Sequence, residues 1–156
     1  MAQKRDRDPL GRAKNARPRD ALGRPLPRGA TPELPAEEPE PDPATALDRG
    51  IAHFNAGEYF QAHEVWEEGW HPAEESERDF WQGVIQVAVG LTHRQRGNPR
   101  GAVTLLERGA RRLRKYGDTH NGVRTAEIAQ FAEDAARTIE AEGLDAHIDV
   151  PRIRRG

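Results

Sequence analysis

Thirteen consecutive residues, Trp81 to His93, carry no charged side chain, in a chain where 32% of residues are charged. At 100° per residue, Phe80, Val84, Val87, Ala88 and Leu91 cover one side of a helix. Trp81, Ile85 and Val89 continue that surface round it. A helix apolar over most of its circumference belongs in the middle of a bundle, because no face is left to meet water. Gly83 and Gly90 lie seven residues apart on one line. Each costs about 1 kcal/mol in a helix interior, which close approach of a neighbouring backbone would offset.

The flanking segments supply the neighbours. Leu47, Ile51 and Phe54 recur at spacings of four and three and predict a first helix over about 44–56, ended by Asn55-Ala56-Gly57. A second helix is expected from Glu58 to Trp70, stopped by His71-Pro72. The charge-free run sits in a third, from about Glu75 to Arg96. Asn98-Pro99 supplies an N-cap with proline at the first helical position and opens a fourth through Tyr116. Its inner face is Ala102, Leu105, Leu106, Gly109, Leu113 and Tyr116. After the turn-forming 118–122, Thr125 is placed to cap a fifth helix closed by Gly143. Gly57 with Ala62 and Gly97 with Ala102 echo one another at an offset of forty. The pattern predicts an all-α fold: a compact five-helix array of two αα-hairpins plus a capping helix, behind a disordered N-terminal tail.

The tail follows from composition. Nine of the twelve prolines lie within residues 1–43, which contain no Trp, Phe, Tyr, Ile or Val. Such a segment cannot bury enough apolar surface to offset its conformational entropy. The expected organisation is a tail over 1–43, a helical domain over 44–145 and a C-terminal tail over 146–156. Residues 1–30 hold nine Lys/Arg against three Asp, and 31–48 hold six acids and no base. Arg7-Asp8-Pro9-Leu10-Gly11-Arg12 recurs as Arg19-Asp20-Ala21-Leu22-Gly23-Arg24. The absence of cysteine excludes disulfides and thiolate chemistry. No apolar run approaches the ~20 residues of a membrane span, and the basic N-terminus lacks a hydrophobic signal core. The expected setting is the cytoplasm, with no membrane partner.

One polar cluster stands out. On the second helix Tyr59, Ala62, Trp66 and Trp70 make an aromatic face that includes His63, with Glu67 one turn on. Glu64 points about 100° away from His63. On the third helix Gln82, Gln86 and His93 occupy a narrow stripe. Polar groups on a central helix need partners, because an unpaired buried polar group costs a few kcal/mol. Antiparallel packing would bring His63, Glu67, Gln82, Gln86 and His93 together, walled by Trp66, Trp70 and Trp81. Three readings are open. The cluster is a structural network, a site for a small polar ligand such as a sugar, nucleoside or amide, or a metal site. For the last, His63, Glu67 and His93 form a two-His, one-carboxylate set suited to Zn, Mn or Fe. The His-Glu-x-x portion of a zinc-protease motif is present, but Glu67 stands where its second His belongs.

The string Phe54-Asn55-x-Gly57-x-Tyr59-Phe60-x-Ala62-His63-Glu64-x-x-Glu67-x-x-Trp70, followed by Gln82-Gly83-x-Ile85-Gln86-x-Ala88, His93 and Gly97-Asn98, resembles the bacterial domain of unknown function family 309. The resemblance spans about 44–116 and implies a compact multi-helical domain. It implies no reaction.

The leading expectation is a domain whose cluster binds a small polar ligand or a divalent metal, including a hydrolase with Glu64 or Glu67 as general base. The alternative is an interaction module. The stretch Arg94 to Lys115 holds eight Lys/Arg against one Glu, a footprint for an acidic partner or nucleic acid. The tail repeat would add to it, and the cluster would then be purely structural.

Overall fold

The computed structural model describes residues 42–156 and the backbone of two two-residue strands, β1 (Asp6–Arg7) and β2 (Ala13–Lys14). The strands pair antiparallel, Asp6 opposite Lys14 and Arg7 opposite Ala13. Sequence periodicity did not anticipate them, since two residues carry no period. The expected tail disorder otherwise lies outside the described residues, as does the rest of the Arg-Asp-x-Leu-Gly-Arg repeat.

From residue 41 onward the chain is one unit, built on α1 (Pro43–Asn55), α2 (Tyr59–Trp70), α3 (Glu75–Gln95), α4 (Pro99–Leu113) and α5 (Thr125–Glu142). A 3-10 turn, Arg114–Tyr116, follows α4. Each helix packs on the next in chain order. This is the all-α hairpin array expected. The first helix starts one residue earlier than expected, at Pro43. Asp42 Oδ1 accepts the Ala44 amide at 3.3 Å and proline takes the first helical position, the same Asx-Pro device that opens α4. There Asn98 Oδ1 accepts the Gly101 amide at 3.0 Å. Thr125 does not cap α5. It is the first helical residue, and its buried hydroxyl donates to the Gly117 carbonyl at 2.8 Å.

Every residue of α3 from Phe80 to Thr92 is buried except Gln82, so the charge-free run does form the centre. Its glycines admit α4. A Cβ built on Gly109 would lie 2.8 Å from the Gly83 carbonyl oxygen, and one on Gly90 would lie 2.8 Å from Leu106 Cγ. On the other side of the array, Gly50 leaves room for the Trp66 indole, whose Nε1 donates to the Leu47 carbonyl at 3.2 Å.

The two hairpin turns share one design. Gly57 and Gly97 both take positive φ, 79° and 78°, a conformation nearly free of cost only for glycine. The amides of Glu58 and Asn98 each donate to the carbonyl five residues back, on His53 and His93, at 2.9 Å. Ala62 and Ala102, five residues beyond each glycine, are both wholly buried.

The segment 146–156 packs back on the array. Asn55 Nδ2 donates to the Ile153 carbonyl at 2.9 Å, and the Ile153 amide donates to Asn55 Oδ1 at 2.8 Å. Arg155 pairs with Asp48 at 3.1 Å and donates to the Asn121 carbonyl. Buried Ile153 sits between these anchors, so the strap links α1 to the turn before α5.

Candidate polar seam between the second and third helices

The helices α2 and α3 run antiparallel. At one end Gln95 Nε2 donates to the Gly57 carbonyl at 3.2 Å, and the Arg96 guanidinium lies over the Phe60 ring at 4.9 Å. At the other end Arg78 stacks on the Trp70 ring at 4.0 Å and donates to the Trp70 carbonyl. Gly69 makes the close contact there, because any Cβ would strike the Trp81 indole. This register sets His63 and Glu67 against the stretch of α3 that carries Gln86.

His63 is buried on α2. Its Nδ1 donates to the Phe60 carbonyl and its ring packs on the Phe60 ring, centroids 4.8 Å apart. That carbonyl fixes Nδ1 as the N–H, leaving Nε2 turned toward Glu67 Oε1, 3.6 Å away. The Glu67 side chain is only 12% exposed. Imidazole and carboxylate one turn apart form a pair that can take up or release a proton. Gln86 is buried opposite, at 3% exposure. Its Oε1 and the Trp70 Nε1 are both buried atoms with no hydrogen-bond partner among the described residues. Glu64 is exposed, which separates it from the seam and leaves Glu67 as the carboxylate facing inward.

Gln82 and His93 carry the polar stripe of α3 toward α4. Gln82 Oε1 accepts from Arg112 Nε at 3.1 Å. Asn98 Nδ2 lies 3.1 Å from His93 Nδ1. Because Asn98 Oδ1 already accepts the Gly101 amide, its amide nitrogen faces the ring. His93 Nδ1 is therefore the acceptor, and the ring proton sits on Nε2. Among the described residues no group of three or more His, Asp or Glu side chains could hold a metal ion. Of the set expected for Zn, Mn or Fe, His63 and Glu67 pair on α2, and His93 lies beside Asn98 at the turn into α4. The polar residues make a network of local pairs, His63 with Glu67, Gln82 with Arg112 and His93 with Asn98, of which His63 is buried, as is Gln86 beside them on α3.

Electrostatics at the edge of the seam follow burial. The Tyr59 hydroxyl is pushed above its ordinary range by burial, and nearby Arg94 pulls it partly back. Four of the eight Lys/Arg from Arg94 to Lys115 have polar partners among the described residues. Arg94 donates to the Ala146 carbonyl, Arg112 and Lys115 reach Asp79, and Arg114 binds Glu133 in a two-pronged contact at 3.0 Å.

A second polar group escaped the sequence reading. His120 Nε2 lies 2.5 Å from Glu77 Oε2, and Asn121 Nδ2 donates to Glu77 Oε1 at 3.3 Å. The ring of His120 packs against Tyr116 and Phe80. Tyr116 OH accepts the Phe80 amide and donates to the Ser76 carbonyl, both at 2.9 Å, spanning one rung of the α3 ladder. The stretch 118–122 reads only as a turn, and a contact across 43 residues leaves no periodic trace.

Comparison with known proteins gives relatives without an assigned activity. The chain is 36% identical over 73 residues to "Uncharacterized protein YpuF" of Bacillus subtilis (strain 168), covering 46% of this chain and 41% of that protein. It is 26% identical over 88 residues to an "Uncharacterized protein" of Aquifex aeolicus (strain VF5), covering 56% of this chain and 26% of the relative. The chain thus spans well under half the length of either relative, and no solved structure matches. Residues 47–105, which run from α1 into α4 and contain the whole polar seam, match the model of the family described as "Domain of unknown function (DUF309)".

Proposed function

We propose that the α2–α3 seam binds a small polar ligand offering both an N–H donor and an acceptor, such as an amide or the edge of a nucleobase. The carrying observation is that Gln86 Oε1 and Trp70 Nε1 are buried without a hydrogen-bond partner among the described residues. One is an acceptor on α3 and the other a donor on α2, the helix that also carries the His63–Glu67 pair. A buried polar atom without a partner costs about 1–3 kcal/mol, and packing alone would select apolar side chains there. A ligand with complementary groups would remove both penalties at once. Glu67, Trp70 and Gln82 are partly exposed along the seam, and Trp70 and Trp81 provide aromatic walls, while the Trp66 indole faces α1 instead. In a hydrolytic version of this reading Glu67, positioned by His63, is the base and Glu64 has no part.

Full-length protein titrated with primary amides, nucleosides and monosaccharides, followed by tryptophan fluorescence and melting temperature, tests the reading. One class should stabilise the wild type by about 2.7 kcal/mol at a hundredfold excess over Kd. Gln86→Met should abolish that effect and, without ligand, melt at or above the wild-type temperature. Failure of all three classes, with Gln86→Met melting well below wild type, would make the amide a structural group.

A further inference from the structure

A concavity of about 580 Å³ lies far along the chain from the seam, between the start of α5 and the strap. Its lining includes four arginines, Arg124, Arg152, Arg154 and Arg155, against one acidic side chain, Glu127. These arginines are not equivalent. Arg155 is held by Asp48 at 3.1 Å and by the Asn121 carbonyl at 3.0 Å, and it anchors the strap. Arg124 is 80% exposed and stands 3.8 Å from Glu127, a loose pair in water. Arg152 and Arg154 are exposed and have no acidic partner among the described residues. They flank Ile153, which is buried while both neighbours emerge. Both arginines line the concavity, two positions apart on either side of that buried residue.

Elsewhere in the fold arginine use is mixed: Arg100, Arg108 and Arg111 on α4 are also exposed without an acidic partner among the described residues, whereas Arg152 and Arg154 both line one concavity. Arg112 and Arg114 both reach an acid within 3.4 Å. Placing like charges together without a counter-ion is unfavourable unless an anion completes them. Guanidinium forks match the oxygens of a phosphoryl group two at a time. The volume falls within the roughly 300–1,000 Å³ typical of small-molecule sites. Beside the charges, Ile128, Pro151 and Ile153 supply an apolar wall, which suits a ligand with an organic body. We infer that this concavity binds a small phosphomonoester, its phosphoryl group held by Arg152 and Arg154 with Arg124 at the rim.

The test is calorimetric titration of the full chain with inorganic phosphate, glucose 6-phosphate and AMP, with glucose and adenosine as uncharged counterparts. Phosphorylated probes should bind and their uncharged counterparts should not. The double variant Arg152→Gln/Arg154→Gln should weaken binding by about tenfold or more. The control Arg100→Gln/Arg108→Gln, on exposed positions of α4, should bind as the wild type does. Circular dichroism and melting curves check that both variants fold, which removal of two exposed, unpaired charges should permit. Undiminished binding by the strap variant would overturn the inference, as would an equal loss in the control. So would far tighter binding of a 20-nucleotide RNA that both variants weaken alike, since that marks a diffuse polynucleotide surface.

Discussion

Two glycines of the helical unit answer to different physics. Gly109 has no room, because its added Cβ would meet the Gly83 carbonyl oxygen and the Val87 side chain, both at 2.8 Å. Gly97 has open space but a φ of 78°. Gly109→Ala should therefore force α3 and α4 apart and cost about 1–3 kcal/mol or more. Gly97→Ala should cost only the roughly 1–2 kcal/mol of left-handed backbone strain. Urea unfolding separates them further. Gly109→Ala should also disturb near-ultraviolet signals from packed aromatics, whereas Gly97→Ala should leave them unchanged. Gly83 was legible as a close-approach residue because it lies within the charge-free run. Its partner Gly109 was placed on the inner face without that role, since nothing in one sequence shows which backbone faces which. The same limit explains the site. His63, Glu67 and Gln86 were placed inside by angle alone, while the turn of Gln82 and His93 toward α4 depended on rotamers and on the N-cap at Asn98.

Helices were the level best written in the sequence. Apolar spacing and Gly-Asx-Pro punctuation predicted all five, and the α1 boundary slipped only because Asp42-Pro43 was grouped with the proline-rich tail. Contacts between elements were less legible. The Arg114–Glu133 fork ties the 3-10 turn after α4 to α5, and neither residue stands out in its own helix. Its hydrogen bonds, and to a lesser extent the charge of Arg114, hold the Glu133 carboxyl below its ordinary value of 4.5. A carboxyl depressed by folding contributes stability that is present above the unfolded-state value and lost as pH falls through the folded one. Wild type should therefore be more stable than Glu133→Gln at pH 7. Denaturation curves at pH 3 should bring the two closer, as Glu133 protonates and the fork weakens. A gap of constant size across that range would mean that the fork contributes nothing through charge.

The helical unit as a whole combines two kinds of connection. Sequential packing of α1 through α5 makes a chain of nearest neighbours, whose ends would be free to fray. The strap prevents this by joining residues 98 and 107 positions apart, Asn55 to Ile153 and Asp48 to Arg155. Asn55→Ala removes both hydrogen bonds from the buried Ile153 backbone and should cost about 2 kcal/mol. Amide exchange in α1 should accelerate in that variant more than exchange in α3. An unchanged α1 would mean that the strap is a passenger. None of this could be read from the sequence, where 146–156 has no period and its two anchors are single residues in a polar stretch. The strap also sets an order of events during synthesis. On the ribosome both hairpins can close from local contacts within tens of residues. The outer side of α1, however, waits for residues made about a hundred positions later. Until they emerge the nascent chain carries a nearly complete helical array with its first helix unclasped, exposed to chaperones and proteases that the finished protein no longer meets.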